Sequence, residues 1–435
     1  MIIDFKIKNF RSYRDETVFT FEALEEDFNS DNYTVTELEN GETIRLLKSA
    51  AIFGANASGK SNVIWAFHAL SFLVANSRNF DVRTAIPTYI PFVLDEQTRM
   101  APTELTIDFI VNRKRFRYTI HFNSIILFEG LYIINNGEKE LVFELDGETK
   151  PNSRGLQIGD KWQSGTVDFA NAQFLANHLI LSEIGTRQVN GLLDIYTALA
   201  NIQAEPVGDS INLKANNENV AANILKNNQS LFGRLKRLIH IADMGINDVV
   251  MIEHHEDEFK FPDSVSEDAK KIMINNNKWE FGMVHQSQKE HITIGMSLES
   301  TGTKNLFGLG ARILDILENG GFLAYDEMNI AIHPELFQLL VSFFNNPKSN
   351  PHHAQLLFTT HDASIAGNST LRADQIWFAE KDNNGVSQLF SAQDFEDIGI
   401  NSPFERWYRA GRFGALPKFG NINYIFDDER KKENA

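Results

Sequence analysis

Two short motifs far apart in the chain carry residue types suited to phosphate chemistry. The first is Gly54-Ala-Asn-Ala-Ser-Gly-Lys-Ser61, which matches the pattern G-x-x-x-x-G-K-[ST] in full. An apolar run ends at Phe53 before it, and a helical pattern begins at about Gly59. Glycines in such a loop let backbone N–H groups turn inward around phosphate oxygens, and the helix N-terminus adds positive potential. The motif therefore predicts a phosphate-binding loop.

The side chains of this loop have distinct predicted roles. Lys60 would reach the β- and γ-phosphates of a nucleotide, and the Ser61 hydroxyl would ligate Mg²⁺. The predicted cofactors are therefore ATP and Mg²⁺. The predicted nucleotide-binding residues of the loop and of the helix that follows it are Gly54, Asn56, Ser58, Gly59, Lys60, Ser61 and Asn62.

The second motif is an apolar run, residues 321–325, that ends in Asp326 and Glu327. Ligands of a parallel sheet bind at the carboxyl ends of its strands, so these carboxylates are predicted to face the loop. Asp326 would hold Mg²⁺, and Glu327 would activate water as a general base. Another apolar run ends at His361, which is either a capping residue or a contact to the γ-phosphate. Its place on a neighbouring strand favours the second interpretation.

The remaining sequence indicates the elements that position these motifs. Residues 297–380 alternate helical and strand patterns with short links, which is typical of an α/β fold. Residues 104–147 alternate apolar and polar side chains between turn signals and predict an antiparallel meander. Helical periods and Asn-rich stretches in the middle favour an inserted helical arm. The predicted division is an N-terminal half of the core domain at 1–164, the arm at 165–285 and a C-terminal half at 286–435.

Composition excludes several classes of protein. The 435 residues include 41 Lys and Arg against 58 Asp and Glu, a net charge of −17. This balance argues against coating nucleic acid by bulk charge. The absence of Cys excludes disulfide frameworks and thiolate metal sites and fits a reducing cytoplasm. No apolar window approaches the length of a membrane span, so no membrane association is expected.

These motifs together resemble a known family. The sequence Phe10-Arg11-Ser12-Tyr13, the loop at 54–61, Ser300-Thr-Gly-Thr303, Asp326-Glu327 and Thr360-His361-Asp362 are similar to ABC-type ATPases of the SMC, RecF and OLD group. The chain looks most like the stand-alone ATPases found with the AbiL and RloA phage-defence systems. The resemblance implies an ABC-type P-loop ATPase head with a mixed sheet, an antiparallel β meander and an inserted helical arm.

The resemblance also implies how the parts act. Two heads would associate head to tail, and Ser300 and Gly302 of one head would contact the γ-phosphate bound by Lys60 of the other. Without the resemblance, these two residues read as an ordinary helix cap. Arg11 and Tyr13 occupy the place where such proteins contact adenine or the α-phosphate, and the alternative is a plain turn at a strand end.

The chain also departs from the family in ways that bear on its output. The stretch after His361 is too short for the nuclease domain of OLD proteins, so a separate nuclease-like or toxin-like effector is expected. The glutamine-bearing loop of ABC proteins has no clear counterpart, since Ser182, Glu183 and Gln188 all fall near its place. The function predicted is an ATPase whose head association gates an effector in anti-phage defence. A RecF-like DNA maintenance ATPase and a non-cycling ATP-bound scaffold are the alternatives.

Two further clusters have ordinary interpretations. His254-His255-Glu256-Asp257-Glu258 contains metal-ligating residue types, but a solvated acidic loop explains it without a metal. Arg234, Lys236 and Arg237 form a short basic face on a predicted helix, which is either solvated or a docking surface. Because the rest of the chain is acidic, a protein partner with a basic face is favoured over DNA.

Overall fold

The computed structural model of this protein describes most of the chain. The described residues are 1–25, 28–147, 155–162, 175–185, 191–206, 220–226, 228–262, 264–286, 290–367, 370–399 and 402–417. The strands are β1 (Ile2–Lys8), β2 (Thr17–Thr20), β3 (Tyr33–Glu37), β4 (Thr43–Leu47), β5 (Ser49–Phe53), β6 (Thr103–Val111), β7 (Lys114–Phe122), β8 (Ile126–Asn135), β9 (Glu138–Asp146), β10 (Gly155–Ile158), β11 (Gln203–Glu205), β12 (Ile246–Glu253), β13 (Trp279–Gln286), β14 (His291–Gly295), β15 (Phe322–Tyr325), β16 (Gln355–Thr359), β17 (Ile376–Lys381) and β18 (Ser387–Ser391). The helices are α1 (Lys60–Asn76), α2 (Ile180–Ile184), α3 (Leu192–Ala200), α4 (Gln229–Ala242), α5 (Glu267–Asn277), α6 (Thr301–Asn319), α7 (Pro334–Asn345) and α8 (Phe404–Arg409).

A six-stranded sheet with the order β11-β15-β16-β5-β17-β18 lies at the centre of the fold. Its neighbours pair in parallel except for β17 and β18, which are antiparallel. All five residues of β5 are buried, as expected for a parallel strand covered on both faces. Because parallel strands end at the same edge, the segments that follow β5, β15 and β16 lie side by side.

Two hydrophobic cores cover the two faces of this sheet. Ala50 and Ile52 of β5 belong to the core that contains α1, whereas Ala51 and Phe53 belong to the core that contains α6 and α7. This division follows from the alternation of side chains along a strand. The loop after Phe53 is therefore anchored from both sides of the sheet.

The first core is closed by a seven-stranded antiparallel sheet with the order β10-β9-β8-β7-β6-β1-β2. Strands β6 to β9 pair consecutively, which confirms the predicted meander. Phe5 of β1 stacks on Phe67 of α1, with the ring centroids 4.0 Å apart. The predicted mixed α/β fold with an added antiparallel sheet is confirmed.

The described part of the predicted arm at 165–285 contains strands as well as helices. Strand β11 is a member of the central sheet, and α3 contributes Leu192 to the first core. Helix α4 packs on α6, where Leu235 and Leu238 approach Gly310. Strands β12 and β13 join β14 in a separate antiparallel sheet. The apolar faces of α3 and α4 are therefore buried against the two cores. The domain boundaries stay a prediction.

Among the residues that the structure describes, no helix is both long and apolar enough to cross a bilayer.

Candidate nucleotide-binding site

The carboxyl ends of β5, β15 and β16 bring the two sequence motifs together. Thr359 of β16 pairs with Ile52 of β5 on one side, and β16 also pairs with β15, which ends next to Asp326. The Nε2 atom of His361 lies 3.7 Å from Oε1 of Glu327. The loop, the two carboxylates and the histidine therefore share one edge of the sheet, as the sequence predicts.

The loop has a backbone that only glycine accepts at two positions. Gly54 and Gly59 have φ angles of 156° and 113°. A Cβ atom at Gly54 would lie 2.4 Å from the carbonyl oxygen of Ala379, and one at Gly59 would lie 2.4 Å from Oγ of Ser387. Side chains are excluded at both positions by the residues beneath the loop, so the turn of the backbone depends on glycine there.

Lys60 is buried over the loop. Its Nζ atom donates to the carbonyl oxygens of Gly54 and Ala55, both at 2.9 Å. Burial lowers the pKa of Lys60 to about 8, although the charges of Asp326 and Glu327 act in the opposite direction. The ammonium is thus held at the loop but loses its proton far more readily than an exposed lysine.

The other loop residues have different surroundings. The hydroxyl of Ser58 is buried and has no hydrogen-bond partner among the described residues, whereas Asn56 is exposed. Asn62 donates from Nδ2 to Oγ of Ser12 at 2.6 Å and is therefore engaged within the protein. Ser61 lies in the first turn of α1 and is partly exposed.

These observations fit the phosphates of a nucleotide. The loop provides a backbone turn that requires glycine at two positions, a buried hydroxyl without a described partner and a buried ammonium. Lys60 and the loop amides would hold the phosphates, while Ser61 and Asp326 would hold Mg²⁺. The cation would supply charge neutralisation for phosphoryl transfer.

The two carboxylates after β15 are fixed by a residue that the sequence did not single out. Thr359 donates its hydroxyl to Oδ1 of Asp326 at 2.5 Å and accepts from the backbone N–H of Glu327 at 2.7 Å. Asp326 is 1% exposed, whereas the Glu327 side chain is 32% exposed. Glu327 also has a positive φ of 48°, a strained conformation for this residue type. A hydroxyl at the end of a buried strand was the available signal for Thr359.

His361 has the protonation state expected for a hydrogen-bonding residue near phosphate. Burial lowers its pKa, and the charge of Lys60 lowers it further, while Glu327 raises it. The net direction is downward, so the imidazole is mainly neutral at pH 7. Its contact with Glu327 couples the end of β16 to the end of β15.

The segment at Ser300 forms the helix cap that its composition indicates. The Ser300 hydroxyl accepts from the N–H of Thr303 at 3.1 Å, and α6 begins at Thr301. A Cβ atom at Gly302 would lie 2.7 Å from the carbonyl oxygen of Ala331, in the loop after Glu327. The cap is therefore confirmed, while the contact with a second head stays a prediction.

Tyr13 lies elsewhere than predicted. It is fully buried, and its hydroxyl donates to the carbonyl oxygen of Gly59 at 3.3 Å. The reason is that Tyr13 faces the core beneath the loop, so it supports the loop and does not face a nucleotide.

Arg11 remains a candidate for contact with a nucleotide. Its guanidinium lies 4.3 Å from the centroid of the Trp65 ring, and within the described chain its buried Nε has no hydrogen-bond partner. Both residues line a cavity of about 200 Å³ that Thr88 and Ile90 also border. Trp65, which the sequence analysis missed, follows the loop on α1.

The two candidates for the glutamine-bearing loop that the structure describes make their contacts away from the nucleotide-binding site. Ser182 accepts from the backbone N–H of Arg78, and Glu183 contacts His178 at 2.6 Å. Gln188 lies outside the described residues. The residue beside Asp326 on the neighbouring strand is Glu205, whose carbonyl accepts from the N–H of Asp326 at 3.1 Å.

The remaining clusters have the ordinary roles. His254 contacts Glu258 and Glu280, and within the described ranges no group of three or more His, Asp or Glu side chains could hold a metal. Arg234 pairs with Glu318, and Lys236 pairs with Asp248. Much of the basic face on α4 is thus neutralised within the chain.

Comparison with known proteins adds one family and several solved structures. Residues 180–366 match the model of the family described as "AAA domain, putative AbiEii toxin, Type IV TA system". The match includes Ser300, Asp326, Glu327 and His361 but begins after the phosphate-binding loop. The comparison with curated proteins gave no match.

Similar solved structures include three head domains. An Smc head bound to the C-terminal winged-helix domain of ScpA is 14% identical, with 90% of this chain and 97% of that chain covered and a TM-score of 0.46. The SMC head domain from Thermotoga maritima is 13% identical, with 90% and 98% covered and a TM-score of 0.39. The Smc head from Pyrococcus furiosus, with an extended coiled coil and bound to the C-terminal domain of ScpA, is 13% identical, with 90% and 96% covered and a TM-score of 0.43.

The low identities and TM-scores leave the site geometry and the family match as the grounds for assignment. Particular closeness to the AbiL and RloA ATPases stays a prediction. The phosphate-binding loop, the carboxylates after β15 and the match over 180–366 together support the predicted resemblance to ABC-type ATPases of the SMC-like kind.

Proposed function

We propose that this protein hydrolyses ATP with the help of Mg²⁺. The observation that carries the proposal is the meeting of the Lys60 loop with Glu327 and His361 at one edge of the central sheet. A buried ammonium at a glycine-rich turn before a helix suits a triphosphate, and a partly exposed carboxylate nearby can reach water. Products are ADP and phosphate.

Each of four residues has a defined role in this proposal. Glu327 accepts a proton from the water that attacks the γ-phosphate, and Thr359 fixes the backbone from which Glu327 projects. His361, neutral at pH 7, hydrogen-bonds near the reacting phosphate and orients Glu327 through their contact. Lys60 stabilises the charge on the β- and γ-phosphates.

ATP-dependent association of two heads is the second part of the proposal. Ser300, which caps α6, and Leu298, which precedes it, are exposed, Leu298 to 81%. An exposed helix start with an adjacent apolar side chain suits burial against another copy of the chain. By the resemblance to ABC-type ATPases, Ser300 and Gly302 would contact the γ-phosphate held by the Lys60 of the second head.

The third part is the biological output. Head association would gate a separate effector protein of nuclease or toxin type in anti-phage defence in the cytoplasm. It is supported by the motif resemblance and by the description of the matched family. The charge supports a protein partner over DNA, since the net charge is −17 and Arg234 and Lys236 pair with acidic residues. Turnover stimulated by DNA and lost with rising salt would instead favour the RecF-like alternative.

ATP turnover and size-exclusion chromatography test the proposal with three variants. Lys60→Ala is expected to lose nucleotide binding. Glu327→Gln is expected to bind ATP, to elute as a larger species and to turn over at least about 100-fold more slowly. Glu335→Gln, an exposed acid at the start of α7, serves as the control and should behave as the unmodified chain.

Unchanged turnover in Glu327→Gln would overturn the general-base role. A purified chain that changes size with ATP but shows no turnover would favour the scaffold alternative.

A further inference from the structure

A buried serine from the far end of the chain contacts the phosphate-binding loop from below. Ser387, on β18, is 2% exposed, and its Oγ lies 2.7 Å from the carbonyl oxygen of Ser58. Its backbone N–H donates to the carbonyl oxygen of Ser12 at 2.8 Å. These contacts place Ser387 directly under the junction of the loop and α1.

The direction of the hydrogen bonds around Ser387 follows from the chemistry of their ends. Nδ2 of Asn62 donates to Oγ of Ser12, and Oγ of Ser12 lies 2.7 Å from Oγ of Ser387. The Ser58 carbonyl can only accept, so the single Ser387 proton is directed there. Ser12 then donates to Ser387, and each hydroxyl donates once and accepts once.

This chain of bonds determines where the loop amides point. In a planar trans peptide, the C=O and the following N–H point in opposite directions. A Ser58 carbonyl held toward Ser387 therefore turns the N–H of Gly59 toward the open side of the loop. Gly59 in turn has no space for a side chain because Ser387 occupies it, at 2.4 Å from an added Cβ.

We propose that Ser387 is a positioning residue that orients the Gly59 amide toward the phosphates of the bound nucleotide. The proposal rests on the proposed function, because it assigns Ser387 to the same site. Tyr13 acts in the same way on the next peptide through the Gly59 carbonyl. Its bond is 3.3 Å long and therefore weaker than that of Ser387.

The test compares ATP affinity with stability in matched variants of the full chain. Ser387→Ala is expected to raise both the Kd for Mg·ATP and the KM about tenfold. The reason is that the hydrogen bond from the Gly59 N–H to a charged phosphate is lost or misaligned. Tyr13→Phe is expected to raise them about twofold to threefold. The kcat at saturating ATP should stay within about threefold in both, because neither residue contacts reacting atoms.

Two controls separate positioning from general stability. Ser49→Ala removes an equally buried serine hydroxyl, which donates to Asn345 at 3.0 Å at the other end of β5. Tyr118→Phe removes a buried tyrosine hydroxyl that donates to Glu129. Both should lower thermal stability without nucleotide, yet leave the Kd for ATP unchanged.

A further variant, Ser12→Ala/Ser387→Ala, should lose no more affinity than Ser387→Ala alone, because Ser12 acts through Ser387. The inference is overturned if Ser387→Ala binds ATP as the unmodified chain does, or loses no more affinity than Ser49→Ala. If the unmodified chain itself binds no ATP, the proposed function fails first.

Discussion

Replacing Thr359 by Val tests how the two carboxylates of the site are held. Valine has the shape of threonine but removes the hydroxyl that donates to Asp326 and accepts from the N–H of Glu327. Thr360→Val is the matched control, because Thr360 is the next residue and is equally buried. Its hydroxyl bonds only uncharged groups in the described structure, Oδ1 of Asn329 at 2.9 Å and the N–H of Asp362 at 3.0 Å.

The expected magnitudes follow from the partners. A hydrogen bond to a charged group contributes about 1.5–3 kcal/mol and one between neutral groups about 0.5–1.5 kcal/mol. Each variant also leaves one backbone N–H without its hydroxyl acceptor, and this cost is common to both. We therefore expect Thr359→Val to lower the free energy of unfolding by about 1–2 kcal/mol more than Thr360→Val.

Urea unfolding of both variants measures this difference as a shift in midpoint at unchanged m-value. ATP turnover is the second assay, in which Thr359→Val should fall at least about tenfold because Asp326 and Glu327 lose their common anchor. Equal destabilisation by the two variants would refute the view that the bond to the Asp326 carboxylate dominates. Full turnover in Thr359→Val would refute its role at the site.

Three further predictions concern Lys60, Arg312 and Gly302. Because the pKa of Lys60 in the free protein is about 8, ATP binding must take up a proton above that pH, so the Kd should rise about tenfold between pH 7 and 9. Calorimetry in two buffers measures the proton uptake. In Lys60→Arg the Kd for ATP should not change with pH over this range. Arg312 is 5% exposed, and its guanidinium lies 2.6 Å from the Glu205 carboxylate. Arg312→Met should lower the free energy of unfolding in urea by about 2 kcal/mol, and adding Glu205→Gln should restore part of that loss. Unchanged stability in Arg312→Met would show that the ion pair contributes nothing. Gly302→Ala places a Cβ 2.7 Å from the Ala331 carbonyl oxygen and should abolish ATP-dependent association while the affinity for ATP is kept. Size-exclusion chromatography and nucleotide titration measure the two effects. Gly233→Ala on α4 is the control and should associate normally, because the nearest atom to its added Cβ is 3.9 Å away.

The parts of the site that the sequence predicts are those encoded within a few residues. The loop at 54–61 carries its own geometry in its glycines, and the run before Asp326 reveals a buried parallel strand that ends in carboxylates. Period-2 alternation likewise predicts the meander because each strand pairs with its neighbour in the chain. Local pattern and final structure agree wherever the decisive contacts are local.

Contacts between distant segments are what the sequence does not reveal. Ser387 and Ser58 are 329 residues apart in the chain, and Thr359 reaches Asp326 across 33 residues. Both depend on strand order in the central sheet, which has no signature in the hydrophobic pattern. Tyr13 is a further example. Its motif predicts contact with a nucleotide, whereas long-range packing turns its side chain toward the core.

The middle segment shows the same limit. Polar, Asn-rich interruptions indicate exposure between helices, but they do not say what the apolar faces of those helices cover. Leu235 and Leu238 of α4 pack against Gly310 of α6, so the absence of a side chain at one position of a distant helix determines where α4 docks.

The charge of the site itself explains why a divalent cation belongs to the proposal. Lys60 provides one positive charge at the phosphate end, whereas Asp326 and Glu327 provide two negative charges, and His361 is mainly neutral. The nearby ionisable side chains of that end therefore sum to a negative charge, in a chain whose net charge is −17. The amides at the start of α1 offset part of this, but they carry only about half an elementary charge. A triphosphate would be repelled unless a cation reverses the sign. In the proposed function Asp326, which is buried and oriented by Thr359, would hold that cation.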